Sequence, residues 1–289
     1  MIHDHIVIRP LHGIDECNQA ARFQDRIWGE GFTERVPASL LKVVPRIGGV
    51  SLGAFLRNGG GEGEDGDMVG LVFGITGVEE DRTVHWSDIL GVDPKYRDQG
   101  VGRRLKWAQR QAAIEAGATR MYWTFDPLEA RNAWVNLERL GAVVREYVPD
   151  MYGVSESPIH RGLGTDRLIA MWPLMAPSVE LRSPSAEVAD VAAPLASGED
   201  EAEGWPEPRA IVYPRLTDEP VRVPIPSDIQ ALRDADPALA ARWREQTRGI
   251  LQPLLEAGAE IRGFERGSRI CEYVVHPSRQ DHPPISNRR

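Results

Sequence analysis

The chain has 289 residues, 42% of them hydrophobic and 27% charged, and carries a formal net charge of −9. That is the composition of an ordinary globular protein with enough apolar material for one large domain or two smaller ones. The negative charge argues against nonspecific nucleic-acid binding and against an anionic membrane surface, so a basic ligand site has to be local. Two cysteines, Cys17 and Cys271, make neither a disulfide framework nor a metal cluster, and the reduced cytosol is the expected compartment. The start, Met1-Ile2-His3-Asp4-His5, has no basic region followed by an apolar core, so no signal peptide is expected. No apolar run approaches the ~20 residues that span a bilayer. His3 and His5 alternate on one strand face, but nothing later completes a ligand set, and no metal is expected.

Taken in order, residues 5–9 read as a strand and residues 14–28 as a helix with Ile14, Cys17, Ala21 and Phe23 at its apolar or small positions. A short helix is expected over 37–44, with Pro37 in its first turn. Strands follow at 48–57, 68–78 and 83–92, the first two separated by a Gly- and acid-rich loop over 58–67. Three consecutive strands on short turns predict an antiparallel meander. A helix then runs to about Ala116, with Leu105, Ala108 and Ala112 on one face and Gly117 as its stop. Residues 120–125 form a strand. Asp126-Pro127-Leu128-Glu129 reads as a helix start, with Asp126 as cap, Pro127 at the first helical position and Glu129 bonding back. That helix places Ala133, Leu137 and Leu140 on one face and ends at Gly141. Strands are expected at 142–148 and 167–172.

From 175 to 209 Pro, Ser, Ala and acidic residues dominate, which reads as a linker or exposed arm. Residues 210–277 predict a small α+β domain. It has short strands at 210–213 and 221–223, a helical region from Ser227 to about Ala257 broken near Pro237, and a strand pair at 259–264 and 270–275. Trp243, Ile250, Leu251, Leu254 and Leu255 are its core candidates. This unit is either a separate small domain or a partial half built like the first. Residues 278–289 read as a disordered tail.

The most informative stretch is Gly91-Val92-Asp93-Pro94-Lys95-Tyr96-Arg97-Asp98-Gln99-Gly100-Val101-Gly102-Arg103-Arg104-Leu105. An apolar run ends at Pro94, a basic glycine loop follows, and a helix begins. Glycines at alternate positions let the backbone approach a ligand, and the helix start offers unpaired N–H groups at the positive end of its dipole. Those features make a phosphate site. The spacing is neither a Walker loop nor a dinucleotide fingerprint. Backbone N–H groups of Gln99, Gly100, Val101, Gly102 and Arg103 are the candidate donors, and each hydrogen bond to a charged group contributes roughly 1.5–3 kcal/mol.

Arg97-x-x-Gly100-x-Gly102 behind a Val-x-Pro strand end resembles the acyl-CoA loop of the GNAT acyltransferase superfamily. The run Asn132-Ala133-Trp134-Val135-Asn136-Leu137-Glu138-Arg139-Leu140-Gly141 resembles that family's second motif. The resemblance implies an α/β, mixed-sheet GNAT fold over residues 1–174, with the C-terminal α+β unit as an extension. It implies that the strands flanking the motif helix are parallel and splay apart to admit acetyl-CoA or another acyl-CoA. The loop residues Arg97 and Asp98 through Arg103 would hold the pyrophosphate, Leu90, Gly91 and Val92 would lie beside the pantetheine, and Asn132 would bond it. The C-terminal half carries no second glycine loop and should bind no CoA of its own.

The sequence departs from the family at Leu137, which stands where many members carry a tyrosine that protonates the leaving thiolate. Tyr152 is the candidate replacement and Tyr147 the more readily packed one. A thiol near pKa ~8.5 also leaves tolerably without an acid. A lysine-like amine costs about 4.6 kcal/mol to be neutral at pH 7, and an α-amine about 1.4. A weak base therefore suffices for an amino acid. Asp88 and Ser87 are the candidates, with Glu79 and Glu80 behind them. Strand alternation puts Asp88 on one face with Trp86 and Leu90, and Ser87 on the other. Asp88 reads equally as a solvated strand-end acid. Arg167, after Gly164-Thr165-Asp166, either binds a substrate carboxylate or pairs structurally with Asp166.

A narrower resemblance joins His85-Trp86-Ser87-Asp88, Trp123-Thr124-Phe125-Asp126 and Gly164-Thr165-Asp166-Arg167 to a bacterial GNAT sub-group with a C-terminal extension. It implies amino-acid N-acylation, with acetyl- or succinyl-CoA as donor. The expected function is N-acylation of a small-molecule amine, in a cytoplasmic protein, with a homodimer as one option and with no nucleic-acid or membrane partner. The alternative is a CoA-binding sensor or inactive scaffold.

Overall fold

The structure, a computed structural model, describes residues 5–30, 32, 34–57, 65–153, 163–176, 204–208 and 219–277. The strand expected at 210–213, most of the arm at 175–209, most of the loop at 58–67 and the tail at 278–289 lie outside them. Packing gathers the chain into two compact units, Met1–Trp123 with Pro173–Ala192, and Thr124–Trp172 with Ala193–Arg289. This division falls elsewhere than the boundary expected near residue 174. Residues 124–172 pack with the C-terminal elements, so the extension belongs to a unit that also holds the second GNAT-like motif.

In the first unit the strands are β1 (Ile6–Pro10), β2 (Val50–Arg57), β3 (Asp65–Glu79), β4 (Arg82–Val92) and β5 (Arg120–Phe125), in that spatial order. The first four are antiparallel, as the meander predicts, and β5 joins β4 in parallel. The β3–β4 turn is two residues long, and Glu80 and Asp81 both take positive φ, 47° and 62°. Helices α1 (Gly13–Trp28), α2 (Ala38–Val43) and α3 (Val101–Glu115) cover the sheet. Helix α1 buries Cys17, Ala20, Phe23 and Gln24, an i, i+3, i+6, i+7 stripe. Ile14, in the first turn, is instead 49% exposed. Phe23, Leu41, Phe55 and Phe73 share one cluster, beneath α1 and α2. Leu52, Val69, Val72 and Leu105 share another, beneath α3.

One irregularity decides the site. Phe73 pairs with Ile89 but Gly74 pairs with Ser87, which leaves Asp88 as an extra residue on β4. A bulge of this kind breaks the two-residue alternation. His85 and Ser87 face α3, where they meet Gln109. Beyond the bulge Ile89 joins the α1-side cluster, while Leu90 and Val92 lie beside Gly102 of α3. The expectation that Leu90 shares a face with Trp86, opposite Ser87, is therefore corrected. Only regular pleating would give it.

In the second unit β7 (Arg167–Pro173), β6 (Val143–Val148), β9 (Glu260–Glu265), β10 (Ile270–His276) and β8 (Val221–Pro226) lie in that order, every pair antiparallel. Helix α4 (Ala130–Trp134) continues as a π-helical stretch over Val135–Leu140 and stops at Gly141, which takes φ 76°. Ala133, Leu137 and Leu140 are all buried. The helix start expected at Asp126 is corrected to Ala130. Asp126 Oδ1 accepts from Leu128 N at 2.8 Å in a local turn, and its Oδ2 accepts from Arg244 at 2.6 Å. Glu129 accepts from Gln230 rather than bonding back to a cap. Helices α5 (Ile229–Ala235) and α6 (Pro237–Glu256) meet at the break foreseen near Pro237, and α6 buries Trp243, Ile250, Leu251, Leu254 and Leu255.

Candidate active site

The glycine loop is built by its own short-range bonds. Asp93 Oδ1 accepts from Lys95 N at 3.0 Å and starts a 3-10 turn over Pro94–Tyr96. Arg97 Nε donates to the Val92 carbonyl at 3.2 Å, and Gln99 Nε2 donates to Lys95 O at 3.0 Å. These bonds hold the loop against the end of β4. Asp98 and Gly100 take φ of 62° and 72°, and Gly100 sits at the N-cap of α3. No side chain caps that helix, and its first turn has no acid. A helix normally recruits Ser, Thr, Asp or Asn there. A bare start with no acidic competitor, glycine at 100 and 102, and Lys95, Arg97, Arg103 and Arg104 around it fits a polyphosphate. Arg104 spends part of its guanidinium on Ile6 O, at 2.8 Å.

Beside this loop the parallel ladder of β4 and β5 covers Val84–Arg120, His85–Met121 and Trp86–Tyr122, and no further pairs. Strand β4 continues unpaired on that side through Ser87, Asp88 and Leu90 to Val92. Leu90 is 37% exposed, Gly91 buried and Val92 half-buried.

At the end of the ladder lies a buried polar chain. His85 Nδ1 meets Thr76 Oγ1 at 3.1 Å, and His85 Nε2 meets Gln109 Nε2 at 3.2 Å. Gln109 Nε2 also donates to Phe73 O at 3.3 Å, and Gln109 Oε1 accepts from Ser87 Oγ at 2.8 Å. Lys106 Nζ donates to Ser87 Oγ at 2.7 Å and lies 3.9 Å from the centroid of the Trp123 ring. Burial holds the Lys106 amine well below the ordinary lysine value. Burial, with the Lys106 charge second, pushes His85 down to about 4. Gly74 leaves the room this chain needs, since a Cβ there would stand 2.3 Å from His85 Nε2 and 2.6 Å from Gln109 Nε2.

Asp88 is turned away from that chain and is exposed. Its carboxyl is nevertheless raised above the usual value, by partial burial first and by the negative charge of Glu34 second. Glu79, a runner-up base, accepts from Tyr122 at 2.8 Å and lies 3.7 Å from Arg120, so it is engaged in structure. Glu80 is in the hairpin turn.

In the second unit Asn132 is exposed on α4. Leu137 is 1% exposed and brings no hydroxyl. Tyr147 is buried and donates to Asp166, and burial followed by that carboxylate drives its hydroxyl far up. It is a packing residue. Tyr152 is 45% exposed, with its hydroxyl 3.0 Å from Thr124 Oγ1. Arg167 lies over the Tyr152 ring at 5.2 Å, donates to Asp166 O at 2.8 Å and stands 3.8 Å from Asp126 Oδ2. Asp166 pairs with Arg248 of α6 rather than with the Arg167 guanidinium. Residue patterning alone does not single out the buried His85, Lys106 and Gln109 or the half-buried Arg248. The available signal was the shared face of His85 and Ser87 on one strand, and of Lys106 and Gln109 one turn apart on one helix.

Residues 57–141 match the model of the acetyltransferase (GNAT) family. That stretch, less than a third of the chain, is similar to the GNAT acetyltransferases, a family that typically uses acetyl-CoA as co-substrate. The protein is similar to a chain of the NatC complex bound to Gag peptide and CoA, at 16% identity over 58% of this chain and 98% of that one, with a TM-score of 0.45. It is also similar to the ribosomal-protein-S18-alanine N-acetyltransferase from Escherichia coli, at 19% identity over 59% and 96%, TM-score 0.43. A GNAT-family acetyltransferase from Streptococcus pneumoniae aligns at 15% identity over 57% and 98%, TM-score 0.44. No curated protein matches the chain. Among the described residues no helix is long and apolar enough to cross a membrane, and no cluster of His, Cys, Asp and Glu could hold a metal.

Proposed function

We propose that the protein transfers the acyl group of acetyl- or succinyl-CoA to the primary amine of a small molecule such as an amino acid, by direct attack of the amine on the thioester. The observation that carries the reading is the uncapped, acid-free start of α3 behind an Arg97–Gly100–Gly102 loop, at the open end of the β4–β5 ladder. The amides of residues 99–103 would hold the CoA pyrophosphate and the unpaired edge of β4 at 90–92 its pantetheine, with Asn132 as a further partner. CoA supplies an acyl carbon activated as a thioester.

Asp88 is the proposed base. Its raised carboxyl is nearer in proton affinity to an amine of modest basicity than an ordinary aspartate is. Asp88 and Glu34 together put negative charge on the same side of β4, which favours an acceptor arriving as a cation. Tyr152 is the proposed acid for the thiolate and Arg167 the proposed partner of a substrate carboxylate.

The test is a panel of amino acids and other small amines with acetyl-CoA and succinyl-CoA, followed by thiol release and intact mass of the products. Calorimetry that shows no CoA binding at millimolar concentration defeats the enzyme reading. CoA binding with no turnover on any amine favours the sensor instead, a reading that the buried Leu137 supports.

A further inference from the structure

We propose that Ser87 and Lys106 form a nucleophile–base pair by which the protein takes the acyl group onto itself, so that acyl-CoA exchanges with free CoA, and slowly hydrolyses, with no amine present. This rests on the acyl-CoA reading above and adds a route that direct attack does not require.

Three observations carry it. First, Lys106 Nζ and Ser87 Oγ are 2.7 Å apart, and both residues are buried, at 6% and 4% exposure. Second, no carboxylate among the described residues pairs with Lys106, and burial lowers its amine well below the ordinary lysine value, which favours the neutral form. The groups facing it are the Ser87 hydroxyl and the Trp123 ring, with His85 the nearest titratable neighbour in the same polar chain. In its neutral form this lysine is a base in contact with the serine nucleophile. Third, Ser87 is the first residue of β4 beyond the last paired position, Trp86–Tyr122. Five residues of strand separate it from Val92, a run of ~16 Å at the usual rise. An extended pantetheine arm whose pyrophosphate lies on the α3 loop would span that run.

Gln109 sets the geometry. Its Nε2 is fixed by Phe73 O and His85 Nε2, so its Oε1 is presented to Ser87. In the resting chain the serine proton points to Gln109. Rotation about Cβ–Oγ turns it to the Lys106 lone pair without moving a heavy atom.

The steps balance. Ser87 Oγ bonds to the thioester carbon as its proton passes to Lys106 Nζ. The carbon–sulfur bond breaks, and the thiolate takes that proton and leaves as CoA thiol. Reversal with another CoA molecule gives exchange. Water attacking the serine ester, its proton again taken by Lys106, releases the carboxylic acid and restores Ser87.

The experiment uses the full chain with acetyl-CoA and isotopically labelled CoA, without an amine. Exchange of label into acetyl-CoA is expected, with an acid-stable acetyl adduct on the peptide that contains Ser87. Lys106→Met and Lys106→Arg should each lower exchange by about 100-fold or more, the contribution of a positioned base. Methionine has no base, and arginine does not deprotonate. Ser87→Cys should keep an adduct, now a thioester, and Ser87→Ala should lose it. Each variant is checked for CoA binding by calorimetry, which separates loss of chemistry from loss of fold. Wild-type protein that acetylates an amine yet shows neither exchange nor adduct overturns the proposal and leaves the acyltransferase reading intact. Exchange that survives Ser87→Ala also overturns it. Wild-type protein that does not bind CoA removes the acyltransferase reading itself.

Discussion

Arg248 Nε donates to Asp166 Oδ2 at 2.8 Å, which ties α6 to the residues that lead into β7. Asp166 is 0% exposed and also accepts from Tyr147 Oη and from Asp150 N. Burial works to raise its carboxyl, but the bonds from Arg248, Tyr147 and Asp150 outweigh it and hold it below the ordinary value of 3.8. Asp166→Ala removes the acceptor of the buried Tyr147 hydroxyl and leaves Arg248 with Asp150 alone, and an unfolding free energy lower by about 3 kcal/mol is expected in urea titration. Because the folded value lies below the unfolded one, this contribution is present above pH 3.8 and disappears as pH falls through the folded value. The acid limb of wild-type stability should be correspondingly steep, and flatter in the variant.

His85 predicts a second pH dependence in the same direction but a different window. It is folded as the neutral imidazole, with a value of about 4 against 6.5 when unfolded. The unfolded chain therefore binds more protons between those values. Stability is whole above pH 6.5 and declines as pH falls toward 4, by about 3 kcal/mol in all. His85→Gln, which keeps an amide beside Gln109 and Thr76, should flatten the melting temperature over this range.

Gly102 separates ligand binding from folding. A Cβ there would meet Leu90 and Val92 at 3.6 Å, ordinary contact, and the position has no positive φ. Gly102→Ala should fold with unchanged or slightly higher melting temperature, since alanine is the better helix former by about 1 kcal/mol. Its CoA affinity should fall about tenfold or more, roughly the loss of one charge-assisted hydrogen bond. Gly100→Ala, at φ 72°, should lose stability as well. Equal CoA affinity in wild type and Gly102→Ala would place the pyrophosphate elsewhere.

Asp88→Asn should lower kcat by about 100-fold, a typical contribution of a positioned general base, with little change in the CoA dissociation constant. The raised carboxyl places the acid limb of the wild-type rate profile above 3.8. Glu34→Gln removes a charge that helps to raise it, so that limb should move to lower pH. A limb that does not respond to Glu34→Gln would assign the base to another group.

Much of the fold was legible because its signals are local. The meander shows in short alternating strands, the loop ahead of α3 in glycine spacing, and the α5–α6 break in Pro237. Asp126 misled, because an Asp-Pro start satisfies the local rule for a cap while Arg244, far along the chain, claims its carboxylate. The role of the C-terminal extension was not legible at all. Arg244 and Arg248 look like solvated helix residues, and only packing with residues 126–166 makes them partners of Asp126, Asp150 and Asp166.

The sequence by itself determined the strand–loop–helix at 91–105, since backbone freedom at Gly100 and Gly102 and the bare helix start are properties of neighbours in the chain. Tertiary structure decided which side of β4 the residues beyond Asp88 face. The bulge at Asp88 arises from the register between β3 and β4, which no single strand specifies. It carries Leu90 and Val92 to the α3 side and Ile89 to the α1 side, the reverse of regular pleating. The pairings of Ser87 with Lys106 and of Asp166 with Arg248 span 19 and 82 residues of sequence. Burial then sets their chemistry, because the same lysine in water would be an ordinary surface cation.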